Sequence, residues 1–324
     1  MSSAYPQVIR QATRNKTFRD FPGRQDPRFR EAAIFPHVTP KFSVDFGNTT
    51  SVFTIGSCFA RNIEEALEPL GVHLPTRGFS VPPGEWNARP NGLLNEFNPG
   101  TISQRIMAAL GSQRSPEQTI VPSGQNFADL LLLGGADVSH DRALQRREEI
   151  FRVYQQLAVC DVVVITLGFV EAWFDRATGW FLNRVPPHAF AMANPERFEF
   201  RRLDVFDAFP PLERALKALS EAGKKVILTV SPVPIQTTFT SDDCVTANEF
   251  SKSVLRVCAE RLSRSVPNVD YFPSFEIVRS AGLPGYINDN VHVRDDLVRR
   301  ITEYMIAVYR GDARPSTNAA DLAR

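Results

Sequence analysis

Two hydrophobic patterns alternate along most of the chain. Short apolar runs, rich in β-branched residues, lie at 52–55, 160–167, 225–231 and 269–272. Runs of this kind are typical of strands buried on both faces of a parallel sheet. Between them, apolar residues recur at helical spacing over 59–70, 101–110, 148–158, 211–222, 246–263 and 295–309. Strands that alternate with helices predict a single α/β domain with a mainly parallel sheet.

The pattern also predicts how the chain is divided. We expect an N-terminal basic arm at 1–48, one α/β domain at 49–311 and a small polar tail at 312–324 that frays. Residues 1–30 hold seven basic and two acidic side chains, a net charge of +5, without the apolar core of a signal peptide. We expect this segment to wrap the domain surface; targeting and partner binding are the alternatives.

Composition narrows the function classes. The chain has 324 residues, a net charge of +1 and 43% hydrophobic residues, which excludes a disordered protein. A balanced charge argues against binding nucleic acid through bulk positive charge. Because no stretch of about 18 apolar residues occurs, we expect no membrane partner, and without a secretory signal we expect a cytoplasmic location.

The first candidate for chemistry is the turn after the first strand, Gly56-Ser57-Cys58. Ligands bind at the carboxyl ends of strands in open α/β sheets. A thiol at a helix N-terminus gains thiolate character from the helix dipole, so Cys58 is a candidate nucleophile with a lowered pKa. The alternative is that Cys58 is a small packed hydrophobe, which is the interpretation we give to Cys160, Cys244 and Cys258.

The second candidate is Asp289-Asn-Val-His292, just before the last helix. A carboxylate three residues ahead of a histidine in a turn reaches the ring Nδ1–H, which leaves Nε2 free as a general base. The alternative is that Asp289 or Asp295 caps the helix and His292 is merely exposed.

Two loops complete the candidates. Asn98 has an amide that could donate to an oxyanion, as could the backbone N–H of Gly168 at the end of a buried strand. Turn formation and packing are the alternatives for Asn98 and for Trp173. The sequence has no glycine-rich phosphate loop, and no Cys/His spacing typical of zinc sites, so we expect no metal and no cofactor.

Several segments resemble the GSCFA domain family. They are Gly-Ser-Cys-Phe-Ala at 56–60, Phe-Asn-Pro at 97–99, Thr-Leu-Gly at 166–168 with Glu-Ala-Trp at 171–173, the segment 228–233, Asn248 with Ser-Lys-Ser at 251–253, the segment 271–276 and Asp289 to His292. That family is similar to the SGNH (GDSL-like) esterases and acyltransferases. The resemblance implies a three-layer α/β/α, flavodoxin-like fold and ester chemistry on acyl groups.

The resemblance also implies roles for residues. Cys58 falls at the nucleophile position, with Ser57 as the alternative, and Asp289 and His292 fall at the last-block Asp and His. Val170 stands where the SGNH pattern has its oxyanion Asn, so Asn98, the Cys58 N–H, Gly168 and a glycine such as Gly92 become the candidate oxyanion donors. Glu171 and Trp173 are candidate substrate-binding residues.

The function implied is an esterase that removes O-acyl groups from a carbohydrate. The alternatives are an O-acyltransferase of a polysaccharide or glycan precursor, with acyl-CoA as a possible co-substrate, and a non-catalytic carbohydrate- or acyl-binding protein.

Overall fold

The computed structural model describes residues 4–15 and 18–312. The predicted tail lies outside these residues, except for Asp312. The α-helices are α1 (Tyr5–Arg14), α2 (Cys58–Leu67), α3 (Pro99–Ala109), α4 (His140–Gln155), α5 (His188–Ala193), α6 (Val205–Glu221), α7 (Cys244–Ser265), α8 (Ser274–Ala281) and α9 (Asp295–Arg310). The strands are β1 (Phe29–Arg30), β2 (Ala33–Ile34), β3 (Val52–Gly56), β4 (Ile120–Ser123), β5 (Asn126–Asp129), β6 (Val162–Leu167), β7 (Glu171–Asp175), β8 (Trp180–Leu182), β9 (Phe198–Arg202), β10 (Lys225–Val230) and β11 (Val269–Tyr271).

The four predicted strands form the central parallel sheet, in the order β11-β10-β6-β3. Beyond β3, His73 forms a parallel bridge with Ser51 where a further strand would lie. Counting this bridge as the second strand in chain order, the sheet has the 2-1-3-4-5 order of flavodoxin-like folds. Its second strand is reduced to a single bridge.

Helices cover both faces of the sheet. One face packs on α3, α4, α6 and α7 through Ile102, Ile150, Leu212 and Leu255. The other packs on α2, α8 and α9 through Ile63, Ile277 and Ile301. The predicted three-layer α/β/α fold is therefore confirmed.

Two helices begin several residues before their predicted starts. Helix α4 begins at His140, and α6 begins at Val205 and continues through Pro210 and Pro211. Prolines inside a helix usually mark its start, but here Asp204 and Asp207 form a capping box that satisfies the first-turn N–H groups ahead of the prolines.

The insertions carry sheets that the sequence pattern did not indicate. Strands β8-β7-β9 form an antiparallel sheet after β6, and β4 pairs with β5 in a hairpin. The first of these sheets stands beside the carboxyl end of the central sheet and contributes to the site described below.

The second half of the basic arm packs against the domain. Ala33, Phe35, Val44 and Phe46 are buried in the core that includes α9. By contrast, Tyr5 and residues of α1 near it are exposed. None of the helices in the described ranges is long and apolar enough to cross a membrane.

Candidate active site

The turn from β3 into α2 depends on Gly56. Its φ of 131° lies in the region that favours glycine, and a Cβ at this position would meet the Thr166 carbonyl oxygen at 2.1 Å. The absence of a side chain lets β3 and β6 approach at their carboxyl ends. This places Ser57 and Cys58 at the edge of the sheet where ligands bind in such folds.

Cys58 is the first residue of α2 and is half-buried. Burial raises the pKa of its thiol above the ordinary value, while the charges of Lys252 and Arg89 and nearby backbone N–H groups lower it. The expectation of a lowered pKa was therefore wrong, because desolvation outweighs the helix terminus. A thiol that is protonated at neutral pH needs a base in order to act as a nucleophile.

Ser57 is directed into the protein. Its side chain is 2% exposed, its Oγ donates to Ser231 Oγ at 2.9 Å, and it accepts the N–H of Phe59 as the N-cap of α2. The Ser57 N–H also donates to Thr166 Oγ1 at 2.9 Å. Ser57 thus ties together the ends of β3, β6 and β10, which leaves Cys58 as the favoured nucleophile of the two.

Asp289 and His292 lie in a tight turn before α9. Asp289 Oδ2 lies 2.5 Å from His292 Nδ1, and Asp289 Oδ1 accepts the N–H groups of Val291 and His292 at 2.9 Å. Asn290 adopts a left-handed φ of 56° inside this turn. The hydrogen bonds from His292 and Val291 lower the pKa of the Asp289 carboxyl to about 2. The N-cap of α9 is Arg294, so Asp289 orients the imidazole and does not cap the helix.

One cavity, with a volume of about 330 Å³, brings these groups together. Cys58 and His292 both line it, as do Ser57, Asn98, Gly168 and Ser231. His292 remains 55% exposed at the side chain, so its ring can meet a ligand that enters from solvent. A thiol at a helix N-terminus and a carboxylate-oriented imidazole therefore share one mostly apolar pocket.

Two of the four predicted oxyanion donors, Gly92 and Gly168, already donate their N–H groups to backbone carbonyls. Gly92 was a wrong choice: its N–H donates to the Arg89 carbonyl at 2.8 Å and its α-carbon faces Trp86, away from the cavity. The Gly168 N–H is also committed, to the Phe97 carbonyl at 3.0 Å, although Gly168 lines the cavity. Close approach of the Phe97 backbone explains the glycine here, since a Cβ would lie 2.8 Å from the Phe97 oxygen.

Asn98 and Cys58 each have an N–H group with no acceptor among the described residues. Asn98 caps α3 through Thr101 and its amide donates to the Leu182 carbonyl at 3.3 Å, which uses one of two amide protons. The Cys58 N–H, at the first position of α2, has no oxygen acceptor among the described residues. It can therefore donate to an anion that binds at the N-terminus of α2.

Glu171 and Trp173 both line the cavity, and their predicted role in binding a substrate stays a prediction. The Glu171 carboxylate accepts from Thr238 Oγ1 at 2.6 Å and from the Phe239 N–H at 2.8 Å, so it holds the loop after β10. Trp173 packs against Phe200 and Phe239, each at 5.6 Å between ring centroids. These three rings form an aromatic wall that comes from the inserted sheet and the loop.

Sequence reasoning missed Phe200, Phe239 and Lys252 as parts of the site. The two phenylalanines lie in insertions whose position relative to the sheet has no local signal. Lys252 stood in a segment that resembles the family but carried no predicted role. Its ammonium group reaches two loops that line the cavity.

Within 4–15 and 18–312, no group of three or more His, Cys, Asp or Glu side chains could hold a metal ion. A thiol, an imidazole and a carboxylate that orients the imidazole are the groups that nucleophilic acyl transfer uses.

Comparisons with known proteins identify the family to which this chain belongs. No curated protein matches the chain significantly. Among solved structures, a mutant of an acetyl-xylooligosaccharide esterase from Geobacillus Stearmophilus is similar over 82% of this chain and 96% of its own, at 14% identity and a TM-score of 0.33. Residues 51–304 match the GSCFA family, and this range includes Cys58, Asp289 and His292. Since this match covers most of the chain, the protein belongs to the GSCFA family.

Proposed function

We propose that this protein is an esterase that removes O-acyl groups from a carbohydrate through a covalent acyl-enzyme on Cys58. One observation carries the proposal: Cys58 and His292, from opposite ends of the domain, line the same cavity, and Asp289 binds the His292 ring. Nucleophile, base and orienting carboxylate are the three groups that this chemistry requires.

The reaction proceeds in two steps. His292 Nε2 takes the thiol proton as Cys58 Sγ attacks the ester carbonyl carbon, and the Cys58 N–H donates to the resulting oxyanion. The C–O bond of the ester then breaks, and the departing sugar oxygen receives the proton from His292. In the second step, His292 takes a proton from water as the water oxygen attacks the thioester carbonyl carbon. The S–C bond then breaks, the carboxylic acid leaves, and His292 returns the proton to Cys58 Sγ, which restores the thiol and the neutral imidazole.

The roles of the partners follow from their surroundings. Asp289 is ionised at neutral pH, because its pKa is about 2, so it stabilises the imidazolium that forms during each step. A base is needed because burial raises the pKa of the Cys58 thiol.

The residues that line the cavity are suited to a substrate that has an apolar acyl group and a sugar ring. Trp173, Phe200 and Phe239 offer apolar ring faces, whereas Asn183, Arg184 and Gln236 supply polar groups around them. Binding sites for small molecules combine apolar walls with a few polar groups in this way.

Variants at the site test the proposal. Cys58→Ala, Ser57→Ala and His292→Ala are assayed for hydrolysis of short-chain nitrophenyl esters and acetylated oligosaccharides, with Cys244→Ala as the control at another half-buried cysteine. We expect Cys58→Ala and His292→Ala to lose at least about a hundredfold in kcat/KM. Full activity in Cys58→Ala would overturn the proposal.

Two further outcomes separate the alternatives. If acyl transfer to an oligosaccharide hydroxyl, with acyl-CoA as donor, exceeds hydrolysis, the protein is an O-acyltransferase that uses the same nucleophile. The other outcome is that the wild type hydrolyses none of these esters and still binds the oligosaccharide. In that case the protein is a carbohydrate- or acyl-binding protein with this fold.

A further inference from the structure

Helix α7 carries three polar side chains on one face, at Asn248, Ser251 and Lys252, and they bind the loops that line the cavity. Asn248 Oδ1 accepts the N–H of Ile235 at 3.2 Å, and Ser251 Oγ accepts the N–H of Val170 at 3.0 Å. The spacing i, i+3 and i+4 places all three on one side of the helix. The loop after β6 and the loop after β10 are thus both attached to α7.

Lys252 is the charged residue among these three. Its Nζ donates to the Gly168 carbonyl at 2.6 Å and to the Val233 carbonyl at 2.7 Å, while the residue is only 1% exposed. Gly168 and Val233 both line the cavity that contains Cys58. Among the described residues, no carboxylate lies within ion-pair distance of Lys252. A buried lysine bound only to neutral groups costs stability, which a functional role can explain.

Lys252 and Cys58 are coupled through charge. Burial lowers the pKa of Lys252 to about 7, and a negative charge on Cys58 raises it. In return, the Lys252 ammonium is the strongest of the charges that lower the pKa of the Cys58 thiol. Lys252 Nζ binds the carbonyl groups of Gly168 and Val233, and both of these residues line the same cavity as Cys58, so each ionised form favours the other.

Other charged groups near the pair have partners of their own. Arg89 also acts on Cys58, but it pairs with Glu65 at 2.9 Å. Glu249, which raises the pKa of Lys252, pairs with Arg279 at 2.7 Å. His292 in the same cavity is paired with Asp289. Lys252 is the cation near Cys58 whose charge no carboxylate in the described ranges neutralises.

We propose that Lys252 is a positioning residue of this site, which joins the two cavity loops through their carbonyl groups and holds a positive charge beside the Cys58 thiolate. The inference rests on the proposed role of Cys58 as nucleophile. The polar face of α7 takes no part in the proposed reaction steps, and this role accounts for it. His292 removes the thiol proton, and Lys252 stabilises the sulfur anion that remains.

The test is the pH dependence of alkylation of Cys58 by iodoacetamide, followed by mass spectrometry of the peptide that contains residue 58. The wild type is compared with Lys252→Met and Lys252→Gln. The Gln variant removes the charge but keeps an N–H donor for the carbonyls, which guards against misfolding. Lys41→Met is the matched control, because Lys41 Nζ also donates to a backbone carbonyl, that of Val269 at 2.8 Å, away from the cavity.

We expect alkylation of Cys58 to slow by up to about tenfold in both Lys252 variants at about pH 6–7, where Lys252 is protonated, and the difference from the wild type to shrink at higher pH as Lys252, with a pKa of about 7, loses its proton. The control should keep the wild-type profile. If either folded Lys252 variant keeps the wild-type pH profile, the charge does not act on Cys58 and the proposal fails. The assay needs no turnover, so it stands apart from the proposed function: esterase activity that survives Cys58→Ala refutes the function and leaves the alkylation result interpretable.

Discussion

The Ser57 hydroxyl donates to the Ser231 hydroxyl oxygen across the end of β6, at 2.9 Å. The same serine caps α2 and binds Thr166, so it joins three strand ends next to a residue that we propose as the nucleophile. A side chain with these bonds stabilises the site, whereas its half-buried neighbour Cys58 remains accessible to a substrate.

From this we expect Ser57→Ala to change stability more than activity. Loss of the cap and of a buried hydrogen bond should lower the free energy of unfolding by about 1–2 kcal/mol, while kcat/KM stays within a few-fold of wild type. Denaturant unfolding and ester hydrolysis measure the two effects. Ser139→Ala, which removes an exposed cap of α4, should cost less. A hundredfold loss of activity in a folded Ser57→Ala protein would assign the nucleophile to Ser57.

Replacement of Asp289 by Asn should slow the reaction without unfolding the protein. The amide cannot stabilise an imidazolium, so we expect kcat/KM to fall by roughly 10²–10⁴-fold. The position is exposed, so the melting temperature should stay near that of the wild type. Asp296→Asn is the control, since Asp296 is an exposed partner of Arg294 outside the pair. Equal activities for the two variants would show that Asp289 does not orient His292 for catalysis.

The low pKa of Asp289 gives a separate expectation for acid. The folded-state pKa of about 2 lies below the ordinary 3.8, so the interaction with His292 is complete above pH 4 and is lost only as pH falls through 2. The His292 ring resonances in NMR spectra should therefore show no titration of Asp289 between pH 3 and 5. A carboxylate titration within that window would contradict the geometry of the pair.

Burial of Lys252 predicts how stability depends on pH. Its pKa is depressed from 10.5 to about 7, so between these values the unfolded chain binds a proton that the folded protein does not. The contribution of Lys252 to the free energy of unfolding therefore rises with pH from about 7 to 10.5. The difference between wild type and Lys252→Met, measured by denaturant unfolding, should increase over this window. The difference between wild type and Lys41→Met should stay flat, and a flat Lys252→Met difference would mean that Lys252 is not buried as described.

Gly56 should tolerate no side chain. In Gly56→Ala a Cβ would collide with the Thr166 carbonyl, so we expect a loss of more than about 2 kcal/mol in the free energy of unfolding. Gly223 has a positive φ of 74° and open space around the position, so Gly223→Ala measures the cost of a left-handed backbone without a collision. Similar losses in the two variants would show that β3 and β6 do not approach as closely as described.

Much of the scaffold could be predicted because it depends on local patterns. The apolar runs that become β3, β6, β10 and β11 are buried on both faces, and burial of this kind selects β-branched residues. The Asp289–His292 contact was predictable for the same reason, since the four residues of one turn contain it.

The remainder depends on contacts between distant segments. Phe200 and Phe239 meet Trp173 only through an inserted sheet and a loop, and no periodicity indicates that meeting. The pKa of Cys58 was predicted in the wrong direction because the helix terminus is visible in the sequence and the depth of burial is not. Gly92 was misplaced because the path of a proline-rich loop has no local signal.

The measurement that tests the central claim most directly is mass spectrometry of the protein quenched during turnover of an activated acetyl ester. We predict a single acetyl adduct on the peptide that contains residue 58. It should be sensitive to hydroxylamine as a thioester is, should persist longer in His292→Ala if any forms, and should be absent from Cys58→Ala. Turnover with the acetyl group on Ser57, or with no adduct in the wild type and undiminished activity in Cys58→Ala, would contradict the account.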